Sequence, residues 1–189
     1  MPLRRLELSG DDEKRIRGFQ FLSQKPMLYC LNIGEKDAPR LHEKEGEFRA
    51  RLGPRKNTAV AGVGGKIEAE LAELSAEEAR EYLVSYGLKE SGLERLISAS
   101  YTLLGLMSFL TAGETEVRAW TIPIGSTAVK AAGAIHSDFE KKFIRAEVVN
   151  WKALIDLDGY PGVREKGLLR LEGKEYVVKD GYVLVIRHG

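Results

Sequence analysis

The sequence lacks several features that would assign the chain to a specialised class of protein. Its 189 residues include a single cysteine, Cys30, so an intramolecular disulfide and a zinc site built from several thiolates are both excluded. No apolar run approaches the roughly 20 residues that span a bilayer, which predicts that no segment crosses a membrane. The basic start of the chain precedes no hydrophobic stretch, so we expect no secretory leader. Together these absences predict a protein of the reducing cytoplasm.

The sequence also has almost no excess of either charge. Lysine and arginine number 29 against 28 aspartate and glutamate, for a formal net charge of +1. Residues 1–112 carry 17 basic and 17 acidic side chains, so neither half of the chain is a polycation. This balance does not favour DNA as a partner, and any RNA binding would depend on a local cluster of cations.

Histidine is scarce, and the three that occur do not form a site. His42, His136 and His188 have no neighbours at metal-ligand spacing, so we expect no metal centre. His136 is followed directly by Ser137 and Asp138, but adjacent residues on a helix do not face each other. The sequence therefore supplies no candidate catalytic residues.

Two short apolar runs in the first half predict strands buried in a parallel sheet, near 27–31 and 59–63. Cys30 lies in the first run, where it is expected to be a small buried hydrophobe. Asn32-Ile33-Gly34-Glu35 and Gly64-Gly65-Lys66 follow the two strands. In open α/β sheets, ligands bind outside the carboxyl ends of the strands.

Helical spacing and capping boxes predict helices over residues 66–108. The last helix has a wide apolar stripe, which we expect to lie in the core; it consists of Leu93, Leu96, Ile97, Leu103, Leu104 and Met107. Thr111 to Thr115, around Gly113, is the expected joint between a first domain, 1–112, and a second, 113–189.

The second half alternates strand and helix signals. Val117, Ala119 and Thr121 alternate with polar or amphipathic residues, which is the period of a strand, and a helix of small residues follows from Ala128 to Ile135. Further strands are predicted at 143–149, 168–171, 176–178 and 183–186. The pattern predicts an α+β domain in which four strands surround one principal helix, as in a β-grasp.

Several runs of the second half also resemble a known family. Glu116–Thr121, Ala131–Glu140, Phe143–Val148 and Leu169–Gly181 are similar, in order and spacing, to the C-terminal TGS domain of YchF-type ATPases. These are Obg-related P-loop proteins of the TRAFAC class. The resemblance implies a TGS (ubiquitin-like, β-grasp) fold for 113–189 and an association with ribosomes or RNA in translation.

In the first half, the two segments that follow the predicted strands resemble the same family. Asn32-Ile33-Gly34-Glu35 stands where the family has its base-recognition motif, Asn-x-x-Glu. The resemblance implies that Asn32, Ile33 and Glu35 contact the nucleotide base, with Gly64, Gly65 and Lys66 behind it. GTPases have Asp at the fourth position. Its carboxylate accepts hydrogen bonds from two guanine N–H groups, and adenine has no such pair of donors on the corresponding edge of the base. The resemblance therefore implies ATP rather than GTP.

The phosphate-binding motif of that family, Gly-x-x-x-x-Gly-Lys-[Ser/Thr], does not occur in the sequence. We therefore interpret residues 1–112 as the C-terminal remnant of a P-loop-type α/β domain. Such a remnant holds no Mg²⁺ site, and ATP binding by this chain alone is expected to be weak or absent.

Three hypotheses follow for function. The first is a ribosome- or RNA-associated module that does not hydrolyse nucleotide alone, with Lys141, Lys142 and Arg145 as its phosphate-contacting cluster. The second is an ATP-binding half that complements a separate P-loop chain. The third is an inactive fragment whose fold persists because the second half is self-sufficient.

Overall fold

A computed structural model describes residues 1–189, which fold into two compact units, Met1–Leu104 and Gly105–Gly189. The strands are β1 (Met27–Asn32), β2 (Thr58–Val63), β3 (Leu106–Ala112), β4 (Val117–Pro123), β5 (Phe143–Asn150), β6 (Arg170–Glu172) and β7 (Tyr182–His188). The helices are α1 (Gly10–Ile16), α2 (Leu41–Leu52), α3 (Gly65–Leu71), α4 (Ala76–Ser85), α5 (Gly92–Leu104), α6 (Ala128–Ile135), α7 (Ser137–Lys141), α8 (Trp151–Asp156) and α9 (Tyr160–Glu165). None of these helices is both long and apolar enough to cross a bilayer.

The first unit is built on a parallel pair of strands, β1 and β2, with α2 and α5 packed against β2. A buried ion pair connects these three elements. The Glu45 carboxylate on α2 accepts hydrogen bonds from the Gly62 N–H, at 2.5 Å, and from Arg95 Nη2 on α5, at 2.5 Å. Arg95 Nε also donates to the Gly62 carbonyl at 3.4 Å. Side chains thus satisfy the outward backbone groups at the end of β2, where no further strand pairs.

The sheet of the first unit is only two strands wide, and this leaves apolar groups uncovered. Cys30 on β1 is exposed, so the prediction that it is buried was wrong. Leu93, Ile97 and Leu104 on α5 are 61%, 50% and 54% exposed, so the predicted core stripe is only partly in the core. The physical reason is the same in both cases: two strands offer too little surface to cover the residues that the pattern assigned to an interior.

The second unit is a five-stranded sheet in the order β4-β3-β7-β5-β6. Its first and last strands, β3 and β7, are parallel neighbours at its centre, paired at Leu110 and Val183, and the other neighbours are antiparallel. Helix α6 packs on one face through small side chains, and Ala128, Ala131 and Ala132 are fully buried there. This topology is a β-grasp, which confirms the predicted α+β fold class.

The opposite face of that sheet is half covered. Helices α8 and α9 lie over Val149 and Val183 of the sheet, and Val163 of α9 packs with them in a second small core. Because side chains alternate along a strand, Glu147 on β5 lies on the face opposite Ala146 and Val148. Arg145 on the same strand pairs across the ladder with Arg187 of β7. The uncovered half of this face is therefore charged.

The division between the units lies at 104/105, eight residues before the predicted 112/113 boundary. Residues 106–108, predicted to be helical, open β3 instead, so Met107 belongs to a strand of the second core. Gly105, at φ +63°, stands where α5 ends, in a conformation that glycine adopts without steric cost. The sheet has five strands rather than four, and Tyr176–Val178 contributes only an isolated bridge between Val177 and Thr127.

We expect residues 105–189 to fold alone and residues 1–104 to fail to do so. The second unit closes its own core around Phe109, Val148 and Leu184, whereas β1 and α5 leave apolar surface open. Amide dispersion in NMR spectra of the two separately expressed halves measures this. A dispersed spectrum for 1–104 beside a collapsed one for 105–189 would contradict the prediction.

Candidate functional site

The segments that follow β1 and β2 meet at one edge of the first unit. Asn32 Oδ1 accepts a hydrogen bond from the Gly65 N–H at 3.0 Å, and the Ile33 N–H donates to the Val63 carbonyl at 2.9 Å. A side chain at Gly65 would place its Cβ 3.0 Å from Asn32 Oδ1, closer than most such contacts. Glycine at this position therefore permits the close approach of the two segments.

Glu35 and Lys66 form an ion pair beside this contact. Lys66 Nζ lies 3.1 and 3.0 Å from the two carboxylate oxygens of Glu35, and the Tyr86 hydroxyl donates to Glu35 Oε1 at 3.4 Å. The hydrogen bonds and the charge of Glu35 raise the pKa of Lys66. Desolvation, followed by the Glu35 charge, raises the pKa of Tyr86. The charges of Glu35 and Lys66 thus compensate each other, and Tyr86 is a neighbour that no sequence motif indicated.

Helix α3, which follows β2 and begins at Gly65, is also tied to the start of α5. Both oxygens of the Glu68 carboxylate accept from backbone N–H groups, Gly92 at 2.6 Å and Leu93 at 3.2 Å. Carboxylates are favoured at helix N-termini because they satisfy unpaired N–H groups there. This contact holds the Gly64–Lys66 turn in place relative to the helix.

The edge formed by these segments brings together all six residues implied as base contacts: Asn32, Ile33, Glu35, Gly64, Gly65 and Lys66. It offers the exposed Asn32 amide and the exposed Gly65 backbone to a flat polar ligand, whereas Gly64 is buried. The only cation among the six is already paired with Glu35. The structure contains no group of three or more His, Cys, Asp or Glu side chains arranged to hold a metal ion.

The predicted phosphate-contacting residues lie in the second unit at the end of α7 and the start of β5. Lys141, Lys142 and Arg145 are all exposed, and none has an acidic side chain within ion-pair distance. Lys130 differs, because it pairs with Glu140 at 3.1 Å. The three cations are therefore available to a ligand.

The charged half-face of the second sheet was not identified from the sequence. Glu147 Oε1 accepts from Arg187 Nη2 at 2.9 Å and Nε at 3.3 Å, and Arg164 Nη2 lies 3.7 Å from the other oxygen. Beside them lies a cavity of about 370 Å³, which Tyr160 also lines. The Tyr160 hydroxyl donates to the Ala112 carbonyl at 2.9 Å. Burial, followed by the Glu147 charge, raises the pKa of Tyr160.

Comparison with known proteins agrees with these features. Residues 106–189 match the family described as "YchF-GTPase_C: Protein of unknown function (DUF933)". The chain is 45% identical over 188 residues to the "Ribosome-binding ATPase YchF" of Bacillus subtilis, covering 98% of this chain and 51% of that protein. It is 45% identical over 185 residues to the protein of the same name from Escherichia coli O157:H7, covering 96% of this chain and 50% of that protein. The chain thus spans about half the length of these curated relatives.

Solved structures show the same relationship. The structure of the Schizosaccharomyces pombe YchF GTPase superposes with a TM-score of 0.77 and 31% identity, over 99% of this chain and 50% of that chain. A GTP-binding protein from Pyrococcus horikoshii OT3 shares the fold, with a TM-score of 0.55 and 17% identity, over 96% of this chain and 51% of that chain. Residues 106–189 are therefore a YchF-GTPase_C domain, and the chain as a whole is similar to the C-terminal half of YchF proteins.

Proposed function

We propose that this chain is a ribosome- or RNA-associated binding module of the cytoplasm, with a TGS-type second unit, and that it does not hydrolyse nucleotide alone. The curated relatives that it matches are named for ribosome binding. The observation within the chain that carries the proposal is the group of unpaired cations at Lys141, Lys142 and Arg145. Three free cations on the surface of a domain with almost no net charge suit contact with RNA phosphates.

Replacing Lys141 and Lys142 by glutamate is expected to weaken RNA or ribosome binding and to flatten its dependence on salt. Each phosphate contact contributes roughly one unit to the slope of log affinity against log salt concentration. The measurement is the affinity for purified ribosomes and for single-stranded RNA across a salt series. As a control, Lys130→Glu reverses a cation of the same unit that is already paired with Glu140, and should change the slope less. Equal slopes for the wild type and the double variant would remove this surface from the interface.

A second candidate function is an ATP-binding half that pairs with a separate P-loop chain. It is favoured by the hydrogen bond between Asn32 and Gly65, and by the outer edge of β1, which no strand covers. A parallel sheet is stable when it is extended and covered on both faces. A P-loop half could therefore extend this sheet by pairing one of its strands with the open edge of β1. The test mixes this chain with the N-terminal half of the Bacillus subtilis relative. Saturable ATP binding that needs both chains and is lost in Asn32→Ala supports this candidate.

A further inference from the structure

Two arginines pair with one carboxylate on the uncovered half of the second sheet face, and a third arginine lies on the same face. Arg145 and Arg187 are directly opposite each other on β5 and β7, and Arg164 reaches in from α9. Like charges directly opposite on a sheet destabilise it, and Glu147, which pairs with Arg187 and Arg164 but not with Arg145, compensates only part of the charge. An anion bound at this place would supply the missing compensation.

The cavity beside these arginines has a different character. Its floor and walls are mostly apolar, formed by Ala112, Val185 and the Tyr160 ring. The bond between the Tyr160 hydroxyl and the Ala112 carbonyl holds that ring in place. At about 370 Å³, the cavity is within the usual range for small-ligand sites, and it is large enough for one planar ring system.

We propose that the cavity takes one unstacked base of an RNA strand, while Arg145, Arg164 and Arg187 hold the neighbouring phosphates. An apolar slot beside cations is the arrangement by which proteins bind bases that have left the stack. The uncharged base rather than a phosphate enters the cavity, because the Glu114 and Glu147 carboxylates line it and disfavour a negative group inside. This inference rests on the proposed association with RNA and names the surface that would read a base.

The first experiment uses the unmodified chain. A short single-stranded RNA labelled with fluorescein is compared with versions of it in which one nucleotide at a time is abasic. Removing the base that enters the cavity should weaken binding about tenfold, in line with the contribution of one stacked base. The phosphates are unchanged in every version, so the salt dependence should stay the same.

The second experiment fills the cavity. Val185→Phe should lower the affinity for the intact RNA and abolish the difference between intact and abasic strands. Val117→Phe is the matched control, because Val117 lies on β4, is 70% exposed and does not line the cavity. Arg164→Gln should weaken binding, whereas Arg170→Gln, on β6 at the edge of the sheet, should not.

The outcomes separate this inference from the proposed function. One outcome is that the wild type binds RNA, but affinity is unchanged by every abasic substitution and by both Val185→Phe and Arg164→Gln. The cavity is then not a base site, while RNA association stands. If the wild type binds neither RNA nor ribosomes, both fail. If a free mononucleotide binds saturably at micromolar concentration and this binding is lost in Val185→Phe, the site serves a small ligand and the RNA assignment is overturned.

Discussion

Replacing Glu45 by alanine is expected to lower the free energy of unfolding of the first unit by about 3–5 kcal/mol. Glu45 is only 7% exposed and holds both Arg95 and the Gly62 N–H. Removing it leaves the largely buried Arg95 guanidinium with only the half-exposed Glu90 carboxylate, 3.7 Å away, and leaves a strand-end N–H unpaired. The loss is a large fraction of the stability of an ordinary domain.

The location of the tryptophans makes this measurement specific. Trp120 and Trp151 both lie in the second unit, so tryptophan fluorescence during urea unfolding follows that unit. Circular dichroism follows both units. Glu45→Ala should therefore move the dichroism transition to lower urea and leave the fluorescence transition in place.

A second ion pair of the same helix region provides the control. Arg40 Nη2 lies 2.7 Å from Glu43 Oε1, but both side chains are 54% exposed. Exposed pairs contribute about 0–1 kcal/mol, so Glu43→Ala should change little. Equal losses for Glu45→Ala and Glu43→Ala would show that burial of the Glu45–Arg95 pair does not determine its contribution.

The chain alone is expected to release no phosphate from ATP above background and to show no saturable ATP binding at micromolar concentration. Phosphoryl transfer requires groups that hold the β- and γ-phosphates, place Mg²⁺ and orient water. The edge at Asn32 and Gly65 offers base contacts, and its one lysine is paired with Glu35. Base contacts of about 1–3 kcal/mol each give roughly millimolar binding once the cost of association is included.

Calorimetry with ATP and Mg²⁺, beside a phosphate-release assay, measures both parts of this expectation. The control is Asn32→Ala, which removes the amide that accepts from Gly65. Turnover in the wild type that disappears in this variant would reveal a phosphate site within the chain and would contradict the half-domain interpretation.

The sequence indicated much of the fold because the relevant signals are local. Strand β1 coincides with the apolar run at 27–31, and the small residues from Ala128 onward form the helix that crosses the sheet. The junction of α5 and β3 was harder to place. Leu103, Leu104 and Met107 fit a helical stripe, so periodicity alone could not detect that the chain turns at Gly105.

The charged contacts depend on tertiary pairing, and spacing cannot supply that. Glu45 and Arg95 are 50 residues apart, and Glu147 and Arg187 are 40 apart. Each pair forms because two elements pack together, and each partner considered alone has the pattern of an ordinary surface charge. The Asn32–Gly65 contact was easier to anticipate, since both residues follow strands of one parallel pair.

The central pairing of β3 with β7 has a consequence for how the second unit is made. These strands are the first and last of the unit, so a ribosome synthesising it completes the middle of the sheet last. Until Tyr182–His188 emerge, β3 has no partner on its β7 side, and Phe109 cannot be enclosed. Non-local pairing of this kind slows folding and prolongs the exposure of apolar groups. The nascent unit therefore cannot complete its sheet and core until its last few residues have been synthesised.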